Sequence, residues 1–133
     1  SCIAEHEFML TASYGAQGWH GRWFEAHAED GVRVENISDT RTGFQIAGPK
    51  ARDLLARVTR ADVPAMRFMD VARMTVGMAD CLVQRVSYTA DLGYEIYCDA
   101  VSQRHLWQTL WSAGQDLGLR PFGMRAMMSL RLD

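Results

Sequence analysis

Two hydrophobic patterns alternate along the chain, one repeating at every second position and one at every third or fourth position. The first pattern is typical of half-buried strands and the second of amphipathic helices. Strands are predicted from the first pattern at residues 7–12, 32–37, 43–47, 71–77, 81–88 and 94–98. Helices are predicted from the second pattern and its stop residues at 18–29, 101–117 and 124–133. A further helix is predicted to begin at Gly48-Pro49, with an apolar stripe of Ala51, Leu54, Leu55 and Val58.

The order of these elements predicts the fold class. Strands that follow one another as hairpins, mixed with helices of ordinary length, are typical of an α+β protein. Pro49 stops one strand and begins a helix, since proline is tolerated in a first helical turn. The sequence therefore predicts an antiparallel sheet with flanking helices.

A turn centred on Asp91 would set the pairing of the strands on either side of it. In an antiparallel pair this places Cys81 opposite Val101 and Cys98 opposite Gln84. The two cysteines are then too far apart along the ladder to bond, so no disulfide is expected.

Composition narrows the class of protein. The chain has 133 residues, with 48% hydrophobic and 23% charged, which is the size and balance of one globular domain. The formal net charge of −2 argues against general nucleic-acid binding, which needs a basic surface. No hydrophobic run approaches the roughly 20 residues of a membrane span, so no membrane partner is expected.

The cysteines and histidines bear on compartment and metal binding. Three cysteines, an odd number without a C-x-x-C pair, indicate a reducing compartment, and we expect a cytoplasmic protein. The four histidines show no ligand spacing, so no metal site is predicted.

Glu95 is the most informative polar residue in the predicted strands. It lies between Tyr94 and Ile96, where a carboxylate is locally inconsistent with a strand core, and such inconsistencies tend to mark function. A half-buried carboxylate accepts two parallel N–H bonds from an amidine edge such as that of a pterin, and Tyr88 supplies a stacking face or a hydroxyl. A solvent-facing Glu95 on an exposed sheet face is an equal alternative.

Three ordered motifs carry a family resemblance. Residues 87–95, SYTADLGYE, resemble the "YTGELGYE" signature of the folate-binding aminomethyltransferase (glycine cleavage T-protein) family. Residues 34–49 resemble the family's "D.S…GF.V.GP.A" segment, and residues 119–133 resemble its "G..P.G..A..SLRLE" segment. The details are most similar to the folate-binding half of dimethylglycine and sarcosine dehydrogenases.

The resemblance implies a cofactor, a reaction and site residues. It implies that tetrahydrofolate binds in a central hole, with its pterin edge on Glu95 and with Tyr88, Met9 and Thr11 lining the same pocket. It implies transfer of a methylene unit from a methylated amine such as dimethylglycine or sarcosine to tetrahydrofolate. FAD in an upstream half of the parent protein stays open: an FAD-binding motif there would favour the amine dehydrogenase, and its absence the sulfonium enzyme or a free-standing transferase.

Departures from the family pattern qualify what the resemblance implies. Ala90 and Asp91 stand where the family usually has Gly-Glu, and Met127 replaces the Arg of true T-proteins, which favours the dehydrogenase-type branch. The family's catalytic Asp is expected upstream of Ser1, so no catalytic residue is assigned within the chain. Residues 1–133 are thus expected to be part of one folate-binding domain, without the family's N-terminal segment and C-terminal barrel domain.

Two alternative functions stay open within this resemblance. One is a demethylase that passes a methyl group from a sulfonium such as dimethylsulfoniopropionate to folate. The other is a non-catalytic folate-dependent module.

Overall fold

The computed structural model describes residues 1–132, which form two compact units, the first being Ser1–Thr40 and the second beginning at Arg41. The first unit contains a small antiparallel sheet of β1, Cys2–Ala4, and β2, Glu7–Phe8. Helix α1, Gln17–His27, follows it.

The first unit confirms one predicted element and corrects two. Helix α1 agrees with the predicted helix at 18–29 to within two residues at each end. The strand predicted at 7–12 ends at Phe8, and residues 9–13 have no regular structure. The strand predicted at 32–37 is wrong: these residues form no strand, and Val32 and Val34 are 59% and 41% exposed. An alternating pattern needs a neighbouring strand to become a sheet, and residues 32–37 have none in the described chain.

The second unit contains one four-stranded antiparallel sheet with three helices. Its strands and α-helices in chain order are β3, Arg41–Ala47; α2, Ala51–Val58; β4, Val71–Val76; β5, Ala79–Gln84; β6, Gly93–Asp99; α3, Gln103–Gly114; and α4, Met124–Leu130. The strands pair in the order β3-β6-β5-β4. This architecture confirms the predicted α+β class. The predicted helix at 124–133 is present as α4, and its last predicted residue, Asp133, lies outside the described residues.

Alternate residues of the four strands pack with α2 and α3 to form the hydrophobic core. The side chains in this core that are wholly buried include Leu55, Val83, Ile96 and Leu106. Each such side chain contributes about 1.5–3 kcal/mol through removal from water. The stripe predicted for α2 is confirmed, since Ala51, Leu54 and Leu55 are its buried residues. This core covers one face of the sheet, and polar residues lie on the other face.

The tip of the β4–β5 hairpin is attached to α3. The turn consists of Gly77 and Met78, and the Met78 N–H donates to His105 Nε2 at 2.9 Å. Gly77 has a φ of +62°, and a Cβ atom there would lie 2.8 Å from the same His105 nitrogen. Glycine therefore allows both the turn and the close approach of the hairpin to the helix.

The register of β5 and β6 corrects the predicted cysteine positions. Cys81 and Cys98 are direct Cα partners across the two strands, rather than being opposite Val101 and Gln84. The prediction assumed a tight turn at Asp91, but the connection spans residues 85–92 and is therefore centred nearer to residue 89. Both thiols are free and buried.

Candidate functional site

The second face of the four-stranded sheet carries a row of polar side chains. Gln45 of β3, Glu95 of β6 and Gln84 of β5 are consecutive Cα partners across the sheet. Because side chains alternate along a strand, Tyr97 shares their face, two residues after Glu95. We call these four residues, Gln45, Gln84, Glu95 and Tyr97, the polar face. It lies opposite the face that packs on α2 and α3.

Glu95 is half-buried at the centre of the polar face. The Tyr97 hydroxyl donates a hydrogen bond to Glu95 Oε2 at 2.6 Å. A hydroxyl bonded to a carboxylate oxygen at this distance is a short, charge-assisted bond. Glu95 is thus an oriented acceptor, and its remaining lone pairs are suited to a ligand with N–H donors.

The connection between β5 and β6 joins the polar face through Ser87. Gln45 Nε2 lies 3.5 Å from Ser87 Oγ, which in turn lies 3.0 Å from Thr89 Oγ1 and accepts from the Thr89 N–H at 3.2 Å. The first of these contacts is at the weak limit of a hydrogen bond. These bonds fold residues 87–89 back on themselves beside the start of β6.

The packing around Gly93 explains why the signature motif has a glycine at this position. A Cβ atom at this position would lie 2.8 Å from Ser87 Cβ and 2.9 Å from the carbonyl oxygen of Ile46. The Gly48 N–H also donates to the Leu92 carbonyl at 2.8 Å. The connection is therefore packed tightly against both β3 and the start of β6, in a space that admits only a hydrogen atom at position 93.

Tyr88 contacts the end of α4. The guanidinium carbon of Arg131 lies 4.1 Å from the Tyr88 ring centre, and Arg131 Nη1 donates to the Tyr88 carbonyl at 3.4 Å. The Tyr88 hydroxyl is 3.5 Å from Met128 Sδ. Two of the three sequence motifs, residues 87–95 and residues 119–133, therefore meet in space.

Ala90 adopts a backbone conformation that favours glycine. Its φ is +63°, in the left-handed region. The family signature has glycine at this place, so the departure noted in the sequence carries backbone strain here of about 1–2 kcal/mol.

The remaining predicted site residues belong to the first unit. Met9 is half-buried, and its backbone is tied to Ser1 by the Met9 N–H donating to the Ser1 carbonyl at 2.8 Å. Thr11 is exposed and lies outside any strand. The structure thus brings Glu95 and Tyr88 into one unit, with Met9 and Thr11 in the other.

Two open cavities lie in the second unit. One, of about 500 Å³, is beside the connection and is lined by Phe68, residues 85–87 and residues 90–93. The other, of about 760 Å³, lies at the end of α2 and contains Arg57, Arg60 and Arg73. Neither cavity is lined by Glu95 or Tyr88, so the predicted acceptor lies on the sheet face outside both.

Within residues 1–132 no group of three or more His, Cys, Asp or Glu side chains is placed to hold a metal ion. The helices of the same residues are too short or too polar to span a bilayer.

Comparison with protein families and relatives gives one consistent result. A family model described as the GCVT N-terminal domain matches residues 1–133. The aminomethyltransferase of Bacillus subtilis (strain 168) is 35% identical over 130 residues, covering 97% of this chain and 36% of that protein. The aminomethyltransferase of Halothermothrix orenii is 28% identical over 132 residues, covering 99% of this chain and 37% of that protein. The chain therefore spans little more than a third of the length of these relatives.

A solved structure shares the fold. It is the heterotetrameric sarcosine oxidase from Corynebacterium sp. U-96 in complex with pyrrole 2-carboxylate. The TM-score is 0.62 with 19% identity, over 75% of this chain and 51% of that chain. At this identity the similarity shows the fold alone.

The fold and the matching sequence define the class of protein. An α+β unit with an antiparallel sheet and flanking helices is the T-protein-like fold shared with that oxidase chain. The chain belongs to the GCVT N-terminal domain family. The predicted relationship to the aminomethyltransferase (glycine cleavage T-protein) family is confirmed.

Three residues of the polar face were absent from the predicted site. Tyr97 had a detectable signal, since a residue two positions from Glu95 on a strand shares its face. Gln45 and Gln84 had none, because only the register of β3 and β5 against β6 places them beside Glu95.

Proposed function

We propose that this chain is the tetrahydrofolate-binding portion of a one-carbon (aminomethyl) transferase. The observation that carries the proposal is the half-buried Glu95 carboxylate, oriented by Tyr97 within the motif that resembles the family signature. A carboxylate in this setting fits the amidine edge of a pterin, which presents two parallel N–H donors. Membership of the GCVT N-terminal domain family supports the same cofactor.

In this proposal the residues of the chain bind and orient rather than transfer protons. Glu95 accepts the pterin N–H groups and Tyr88 lines the pocket beside it, while Met9 and Thr11 are proposed as folate-binding residues from the family resemblance alone. Bound tetrahydrofolate supplies N5 as the nitrogen that receives the one-carbon unit. The protein contributes by holding the reactants close together and keeping water away. Both effects lower the activation barrier of such a transfer.

The donor in this proposal is an N-methyl amine such as dimethylglycine or sarcosine, taken as the iminium that remains after two-electron oxidation of the amine by a flavin in another part of the whole protein. The iminium carbon passes to tetrahydrofolate and the demethylated amine leaves. Met127, which stands in the last motif where true T-proteins have Arg, supports this donor class. The proposal extends to the whole protein, with a proton-handling Asp upstream of residue 1, a C-terminal barrel domain and an FAD-binding half. We propose a cytoplasmic location for it.

Titration with tetrahydrofolate under anaerobic conditions tests the proposal, using the protein at its full encoded length and this chain alone. We expect saturable binding that Glu95→Gln weakens by about 1.5–3 kcal/mol, because the substitution removes a charged acceptor. Asp80→Asn is the matched control, since it removes the same charge from an exposed position on β5.

Three outcomes of the titration are informative. Equal affinity of the wild-type and Glu95→Gln proteins, with both folded, would remove Glu95 from the site. No binding by the full-length protein would overturn the proposed function. If the protein binds tetrahydrofolate but an assay detects no methylene transfer from dimethylglycine or sarcosine, the proposed donor class is contradicted and the proposed folate site stands.

A further inference from the structure

Tyr97 and Glu95 form a pair on the polar face of β6. They are two residues apart on one strand, so both side chains project from the same face. The Tyr97 hydroxyl donates to Glu95 Oε2 at 2.6 Å. Both side chains are half-buried, and water therefore competes less with this bond than it would at an exposed site.

Gly43 of β3 holds the Tyr97 ring in place. Gly43 and Tyr97 are direct Cα partners. A Cβ atom at position 43 would lie 2.9 Å from Tyr97 Cε1 and 3.0 Å from Cδ1, closer than such atoms approach. The ring thus lies against the bare backbone of β3, and this position directs its hydroxyl along the strand to Glu95. Any larger residue at position 43 would displace the ring.

The bond limits how the carboxylate can meet a ligand. An ionised carboxylate has about four acceptor positions, and Tyr97 occupies one of them on Oε2. An amidine edge requires two parallel acceptors, one on each oxygen, which the remaining positions provide. Because one oxygen is anchored, the carboxylate plane is set before a ligand arrives, and less entropy is lost on binding.

We infer that Tyr97, seated on Gly43, is a positioning residue that orients the Glu95 carboxylate for a ligand with two parallel N–H donors. This inference rests on the proposed function, because it takes Glu95 as the pterin acceptor. It adds two residues, Tyr97 and Gly43, to the determinants of the site. Neither residue touches the ligand in this role.

The test is a double-mutant cycle on tetrahydrofolate affinity, measured anaerobically with the full-length protein. We expect Tyr97→Phe to weaken binding about threefold to tenfold, the range for loss of one hydrogen bond. Glu95→Gln is expected to weaken it further, and the double variant to bind no more weakly than Glu95→Gln alone. Additive losses in the double variant would overturn the inference, since they would show that Tyr97 acts without Glu95.

Tyr94→Phe is the matched control for this cycle. Tyr94 lies on the same strand, but it is wholly buried on the opposite face, where its hydroxyl accepts from Arg52 Nε at 3.3 Å. We expect its affinity to equal that of the wild type. Equal losses in Tyr97→Phe and Tyr94→Phe would indicate a general structural effect and would overturn the inference.

A spectroscopic measurement separates positioning from folding. The ¹³C NMR shift of the Glu95 carboxylate should change in Tyr97→Phe and in Gly43→Ala, and stay unchanged in Tyr94→Phe. An unchanged shift in both of the first two variants would overturn the inference. If Glu95→Gln binds as the wild type does, Glu95 is not the acceptor and this inference fails with it. No binding by the full-length protein overturns the proposed function itself. If only Tyr97→Phe binds as the wild type does, the proposed function and Glu95 stand and this inference alone fails.

Discussion

The guanidinium of Arg131 stacks on the ring of Tyr88, with 4.1 Å between the guanidinium carbon and the ring centre. The same side chain donates from Nη1 to the Tyr88 carbonyl. This contact attaches the end of α4 to the connection between β5 and β6. It also covers one face of a ring that the proposed function places in the folate pocket.

Replacement of Arg131 by alanine should destabilise this attachment. We expect a loss of about 0.5–1 kcal/mol in the free energy of unfolding, typical of a partly exposed cation–π contact. Arg125→Ala is the control, because Arg125 is exposed on the same helix. Urea unfolding of the two variants measures the difference, and equal losses would contradict a specific role for the Tyr88 contact.

Replacement of Gly93 by alanine should be strongly destabilising. The added Cβ would lie 2.9 Å from the Ile46 carbonyl oxygen, and backbone atoms cannot move aside cheaply. We expect a loss of about 1–3 kcal/mol, as for other overpacked sites. Gly123→Ala serves as the comparison, since nothing lies within 4 Å of a Cβ at that position. Thermal unfolding checks the prediction, which fails if the two variants unfold at the same temperature.

Replacement of Ala90 by glycine should stabilise the second unit. Relief of the left-handed strain gains about 1–2 kcal/mol, while the greater freedom of glycine in the unfolded chain costs about 0.4–1 kcal/mol. The expected net gain is about 0–1.6 kcal/mol in the free energy of unfolding, measured with urea. Ala61→Gly, in an exposed loop without a positive φ, should show only the cost. A lower free energy of unfolding in both variants would contradict backbone strain at Ala90.

The buried thiols should resist alkylation. Burial raises the pKa of the Cys81 thiol to about 12, with a further contribution from Cys98, and burial also raises the pKa of the Cys98 thiol. At pH 8 both remain protonated and unreactive, while the exposed Cys2 reacts. Iodoacetamide labelling followed by mass spectrometry should therefore modify one thiol rapidly, and Cys2→Ser should abolish that phase.

The raised pKa also predicts an alkaline loss of stability. The ordinary thiol pKa is about 8.5, so the protonated Cys81 stabilises the native state below that pH. This contribution falls as the pH rises from about 8.5 towards 12. Labelling of Cys81 should increase over the same range, and labelling as fast as that of Cys2 at pH 8 would contradict the burial.

The sequence predicted what depends on local pattern. The hydrophobic stripe of α2 and the Gly-Pro stop before it were enough to place that helix. The three motifs at residues 34–49, 87–95 and 119–133 were enough to indicate the family, because each is a run of neighbouring residues in the chain. The alternation of hydrophobic and polar residues at 32–37 led to a wrong strand prediction, because an alternating segment forms a strand only when another strand lies beside it.

Register and long-range packing were decided by the tertiary structure. The sequence placed Cys98 opposite Gln84, whereas the length of the connection brings Cys81 and Cys98 together. Likewise, only the pairing of β3 with β6 seats the Tyr97 ring on Gly43. A one-residue shift of a strand exchanges its two faces, and the forces that prevent it come from the whole core rather than from neighbours in sequence. The sequence alone therefore determined Glu95 as the candidate acceptor, and the folded sheet determined how its carboxylate is held.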